Sequence, residues 1–157
     1  MDAVVAGNAL HWFDLAVAGP EIGRVLAPGG VLAGLWNVLD DRVDWVADLG
    51  RVAGPAAVGP RDAVTGWRAA TADPHLPGGG SVRFGAPEQA EFPHGQRRTA
   101  ESLVATLATR AGVLALPTRD REALLDGIRA FLAGDPRTRR GEFTLPMWTG
   151  VLRVRRL

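Results

Sequence analysis

At 157 residues, with 46% hydrophobic and 22% charged residues, the chain has the size and composition of one globular domain. The absence of cysteine excludes disulfides, thiolate metal sites and cysteine nucleophiles, and a net charge of +1 gives no instruction toward a polyanionic partner. No apolar run approaches the roughly 18 residues of a membrane helix. The N-terminus has an acidic residue and no basic leader region, so a cytoplasmic location is expected, with no membrane partner.

Residues 2–7 are nearly all apolar and read as a strand covered on both faces. They run directly into Asn8, Ala9, Leu10, His11, Trp12, Phe13 and Asp14. A helix follows, with its firm part at residues 20–26, because Gly19-Pro20 interrupts anything earlier and proline suits a first helical position. A looser turn is allowed over 14–18. Pro28-Gly29-Gly30 stops that helix, and residues 31–36 form the next strand. Strand, polar-aromatic loop, helix, turn and strand make one parallel crossover unit.

Asp40-Asp41 is placed to cap a helix over 42–52, residues 54–60 form a connection, and a short helix over 62–72 carries Trp67. Residues 73–80 read as the clearest loop in the chain and a candidate mobile segment. Residues 89–98 read as a strand in which Pro93 requires an edge position or a break. Thr99 caps a helix over about 100–111 with Leu103, Leu107 and Ala111 on one face. A further helix runs from Thr118 to Gly134, with Leu124, Leu125, Ile128 and Phe131 toward the core. Residues 143–154 close the chain as a strand. The order is that of an α/β fold, a parallel sheet with helices on its faces and a C-terminal antiparallel strand pair.

The run from Asn8 to Asp14, joined at this spacing to Glu21-Ile-Gly-Arg-Val-Leu-Ala-Pro-Gly-Gly30, resembles the class I S-adenosylmethionine-dependent methyltransferases. The match is to their type 11-like, small-molecule branch. Phe92-Pro-His-Gly-Gln96, Thr99 to Leu103 and Leu145 to Thr149 are similar to the tail of that family, so the resemblance spans nearly the whole chain. It implies a Rossmann-like sheet from its fourth strand onward: a remaining core at 1–39, a helical and loop insertion at 40–87, and C-terminal strands and helices at 88–157.

The same resemblance implies that S-adenosylmethionine is the cofactor and a small molecule the methyl acceptor. Asn8, Ala9 and Leu10 would line the methionine end of the cofactor. His11 and Trp12 would face the acceptor, with His11 as general base, and Trp36 and Asn37 would contribute to substrate binding. The family's glycine-rich loop and its acidic ribose partner have no counterpart here. Gly78-Gly-Gly80 does not join a strand to a helix. The first three strand–helix units, on the order of 100 residues, are expected to be missing from a domain of this kind. The isolated chain is therefore expected to be inactive and to bind the cofactor poorly.

Trp67, His75, His94 and Trp148 are candidates to roof an acceptor pocket, but each reads more simply as a packing or surface residue. Three scattered histidines lack paired ligand spacing, so no metal site is expected, and Ser81 and Ser102 sit in no nucleophile elbow. The arginine clusters at 97–98, 137–140 and 153–156 are interspersed with acidic residues and read as solvated faces, which makes nucleic acid an unlikely partner. The alternative function is a non-catalytic interaction module, or a split-enzyme fragment completing another chain's sheet. An open sheet edge would then mediate self-association or take a complementing chain.

Overall fold

A computed structural model describes residues 1–72 and 83–157. The predicted loop at 73–80, with His75 and Gly78 to Gly80, lies outside the described residues. The described chain divides into two compact units: Met1–Asn37 with Arg68–Phe92 and Thr149–Leu157, and Val38–Trp67 with Pro93–Trp148. A four-stranded sheet of order β1-β2-β4-β3 is formed by β1 (Ala3–Gly7), β2 (Val31–Leu39), β3 (Glu88–Arg98) and β4 (Phe143–Arg155). The mixed α/β class predicted from the sequence is the class observed.

In the first unit, β1 and β2 pair in parallel from Ala3↔Val31 to Gly7↔Leu35. Helix α1 (Leu15–Val25) connects them, capped by Asp14, whose carboxylate accepts from the Ala16 amide at 3.0 Å. It is one continuous helix, not the shorter one predicted. Gly19-Pro20 lies inside it, where Pro20 has no N–H to offer the Ala16 carbonyl and one helical bond is forgone. The helix then turns at Gly29, which adopts φ +80. Gly30 follows in a place where a Cβ would stand 2.8 Å from the Ala27 carbonyl oxygen. Residues Leu10, Ile22, Leu26, Leu32, Trp36, Leu152 and Val154 are buried in this unit.

The expectation that β1 is covered on both faces is not met. Ala6 is buried but Val5 is 66% exposed, because β1 ends the sheet and nothing among the described residues covers that face. Val17 on α1 is 70% exposed as well.

The C-terminal strands are antiparallel, as predicted. Phe84↔Arg156 is an antiparallel bridge, and the ion pairs Glu88–Arg153 and Arg97–Glu142 follow the same register. Strand β3 occupies the sheet edge, which accommodates Pro93.

The second unit holds the larger apolar cluster. Helices α2 (Asp44–Ala57), α4 (Ala100–Ala108), α5 (Ala111–Leu114) and α6 (Thr118–Gly134) place Leu49, Ala53, Val104, Val113, Ile128 and Leu132 in it, with Phe143, Leu145 and Met147 from β4. Trp45 and Phe143 meet edge to face at 5.8 Å. Thr99 caps α4 as predicted, in a reciprocal box with Ser102.

Three local readings require correction. Asp40 and Asp41 do not cap α2, which begins after Val43 without a side-chain cap. Residues 40–43 form a turn instead, so Asp40 binds the Arg42 guanidinium at 2.7 Å and Asp41 accepts from the Thr65 amide at 3.2 Å. The predicted connection at 54–60 begins late: Gly54, at φ 62, kinks α2, which then continues to Ala57. The predicted helix over 100–111 breaks after Ala108, where extended backbone at Arg110 separates α4 from α5 and gives Ala111 to the latter.

Helix α3 (Val64–Ala70) buries Trp67. Near the end of α6, hydrogen bonding to Arg137 holds the Asp135 carboxyl below its usual range. That pair adds stability above the ordinary aspartate range, and the contribution is lost as pH falls through the lowered folded value.

Candidate functional site

The loop after β1 turns sharply because Asn8 adopts the left-handed region, at φ 49, which asparagine tolerates better than most side chains. Its amide remains tied to β2, donating to the Leu35 carbonyl at 2.7 Å. Its side-chain Oδ1 reaches across to accept from the Asn37 amide at 3.1 Å. One asparagine therefore links the carboxyl end of β1 to that of β2.

Beyond it, Leu10–Trp12 form a single 3-10 turn. The Ala9 and Leu10 carbonyls accept from the Trp12 and Phe13 amides at 2.9 and 3.2 Å. Leu10 points inward and is buried, whereas Trp12 is 79% exposed. The rings of His11 and Trp12 lie 5.0 Å apart at a tilt of 43°.

Trp36, on β2, is 7% exposed, and its indole N–H donates to His11 Nδ1 at 3.1 Å. Space for that indole comes from Gly34, where a Cβ would stand 2.6 Å from Trp36 Cη2 and 2.9 Å from Leu10 Cδ2. Asn37 continues the edge. Its Oδ1 accepts from the Thr149 hydroxyl at 2.7 Å.

All seven residues singled out from the sequence, Asn8 to Trp12 with Trp36 and Asn37, belong to the first unit and gather at the carboxyl ends of two parallel strands. Crevices at that end of open α/β sheets are where ligands bind. Gly34 and Thr149 complete the arrangement and were not identified from sequence. Thr149 ends the stretch at 145–149 that resembles the family tail, but it lies 112 residues from its partner and no local pattern pairs the two. Gly34 sits in an apolar strand where only the packing of Trp36 gives it meaning.

Trp67 is buried in the second unit, Trp148 of that unit lies beneath the Arg42 guanidinium at 3.9 Å, and His94 is exposed on β3. A cleft of about 340 Å³ lined by Glu101, Arg129, Thr138 and Arg139 is likewise in the second unit. Among the described residues no cluster of three or more histidine and acidic side chains has metal-binding geometry, and no helix is long and apolar enough to cross a membrane.

No family model matches the chain. It is 34% identical over 136 residues to an uncharacterized methyltransferase of Mycobacterium tuberculosis, covering 87% of this chain and 50% of the relative. It is 30% identical over 122 residues to an uncharacterized methyltransferase-like protein of Schizosaccharomyces pombe, covering 78% of this chain and 45% of the relative. The chain thus spans about half the length of the curated relatives it matches.

Among solved structures, it aligns over 99% of its length with candidate methyltransferases from Bacillus halodurans and Anaeromyxobacter dehalogenans. The TM-scores are 0.43 and 0.44, the identities 15% and 23%, and 64% and 63% of those chains are covered. At those scores the superpositions add nothing, and relatedness rests on the sequence matches. By those matches, most of the chain is similar in sequence to about half of each of these methyltransferases.

Proposed function

We propose that this chain carries the acceptor-facing edge of an S-adenosylmethionine-dependent methyltransferase acting on a small molecule. The observation that supports this most is the Asn8–Trp12 turn, fixed at the carboxyl ends of β1 and β2 by Asn8 Oδ1 on the Asn37 amide and by Trp36 on His11. Methyl transfer depends on holding a nucleophile in line with an electron-poor methyl group, so a rigid, preformed edge is the contribution a protein most needs to make. S-adenosylmethionine supplies the methyl group when bound.

The described residues fit one end of that cofactor. Gly7 and Asn8 are exposed and Ala9 is half-buried where the strand ends, so the chain there is open to the methionine end. The carboxylates of the following segment are engaged locally, Asp14 with the Ala16 amide and Glu21 with Arg24 at 2.6 Å. Ribose and adenine contacts therefore belong to residues outside this edge. Trp12 and Asn37 would contact the acceptor and His11 would meet it directly. Titration with S-adenosylmethionine tests the reading: amide resonances of residues 7–12 should respond, and silence there would contradict it.

A second reading is favoured by the exposure of Val5, Trp12 and Val17 on the unit whose β1 edge has no strand partner among the described residues. On this reading the chain works as an interaction module, its β1 edge completing another polypeptide's sheet, and the isolated chain self-associates through the same edge. Sedimentation velocity separates the two: Val5→Lys should shift an oligomer toward monomer, whereas a monomer at every concentration would rule the second reading out.

A further inference from the structure

We infer that the side-chain amides of Asn8 and Asn37 select the methyl acceptor by hydrogen-bond polarity: with their oxygens bound to the protein, they take a small organic acid through its carboxylate. That this ligand is the methyl acceptor rests on the reading of the edge given above; the preference for a carboxylate does not.

A carboxamide carries one acceptor oxygen and two N–H donors on its nitrogen. At Asn8 the oxygen is committed, accepting from the Asn37 main-chain amide at 3.1 Å. A main-chain N–H only donates, so the atom that meets it is Oδ1 and not Nδ2. At Asn37 the oxygen accepts from the Thr149 hydroxyl at 2.7 Å, a length usual for O–H···O and short for N–H···O. Among the described residues neither Nδ2 has a hydrogen-bond partner, and both asparagines are exposed.

These donors are fixed in place before any ligand arrives. Asn8 is held at φ 49 with its own amide on the Leu35 carbonyl at 2.7 Å, and Thr149 ties down the Asn37 carboxamide. Two adjacent residues of the edge thus have unmade N–H bonds, while each oxygen already accepts one. A carboxylate accepts only, offers lone pairs on two oxygens, and forms stronger bonds with N–H donors than a neutral group does. An ammonium group donates only and gains nothing from either Nδ2.

Titration of the 157-residue chain with benzoate, and separately with benzylamine, tests the inference through the side-chain N–H signals of Asn8 and Asn37. Benzoate should move both pairs of signals, and benzylamine, a cation at neutral pH, should not. Asn8→Asp keeps an oxygen for the Asn37 amide and removes the donor, so benzoate should bind roughly tenfold or more weakly to it. If Asn8→Asp does not fold, Asn37→Asp makes the same exchange and keeps an oxygen for Thr149. Benzoate shifts confined to other residues, an equal response to both probes, or unchanged benzoate binding in the folded variant would overturn the proposal. S-adenosylmethionine has a carboxylate of its own, so the benzoate shifts should persist in its presence. Their displacement would give these donors to the cofactor and overturn the assignment to the acceptor. Silence of residues 7–12 toward S-adenosylmethionine, with the benzoate response intact, would remove the cofactor reading and support the carboxylate preference.

Discussion

Gly66→Ala is expected to destabilise the protein by about 3 kcal/mol or more, although alanine is the better helix former by roughly 1 kcal/mol. Gly66 lies within α3, and a Cβ there would stand 1.5 Å from the Pro60 carbonyl oxygen and 2.7 Å from its carbon. Both obstructing atoms are backbone, so no side-chain rotation relieves the clash. The loop from Pro60 or the helix itself must move, and Leu39 is bonded to that loop through the Asp62 carbonyl at 2.7 Å. For a chain of this length such a loss corresponds to a melting temperature lower by about 6–12 °C. Because propensity and packing predict opposite signs, a variant as stable as the parent would contradict the placement of α3 against that loop.

Leu49→Ala is expected to cost about 2–5 kcal/mol. Leu49 is completely buried on α2, within the cluster that also contains Val46, Ala53, Ile128 and Leu132. Removing its isobutyl group forfeits the transfer free energy of the lost carbons and leaves a cavity between helices that cannot fully collapse. Urea unfolding should show a lowered midpoint with little change in slope, since the surface exposed on unfolding is nearly the same. A cost below about 1 kcal/mol would mean that this cluster is not closely packed in solution.

The sequence was most legible where local pattern and local structure coincide. The apolar run of β1, the Pro28-Gly29-Gly30 turn, the Thr99 cap and the 118–134 helix all carry their own signals within a few residues, and each was located correctly. Legibility failed where a neighbour decides. Pro20 looked like an interruption, yet α1 continues through it with one helical bond forgone. The carboxylates of Asp40 and Asp41 had the right chemistry for a cap but were taken by Arg42 and Thr65. Val5 was read as buried because apolar runs usually are, and the sheet order places it on an end strand.

The site followed the same division. Its loop residues were recognisable as a motif, whereas the bonds that fix them join positions 25, 29 and 112 residues apart. His11 Nδ1 accepts from an indole whose direction no sequence pattern reveals.

The proposed function places the methionine end of the cofactor at residues 7–12. The most direct test is a titration of the 157-residue chain with S-adenosylmethionine, read together by calorimetry and backbone amide shifts. Shifts should centre on Asn8, Ala9 and Leu10, with an affinity no tighter than the millimolar range, about −4 kcal/mol. Tight one-to-one binding, or shifts centred elsewhere with these residues silent, would contradict it.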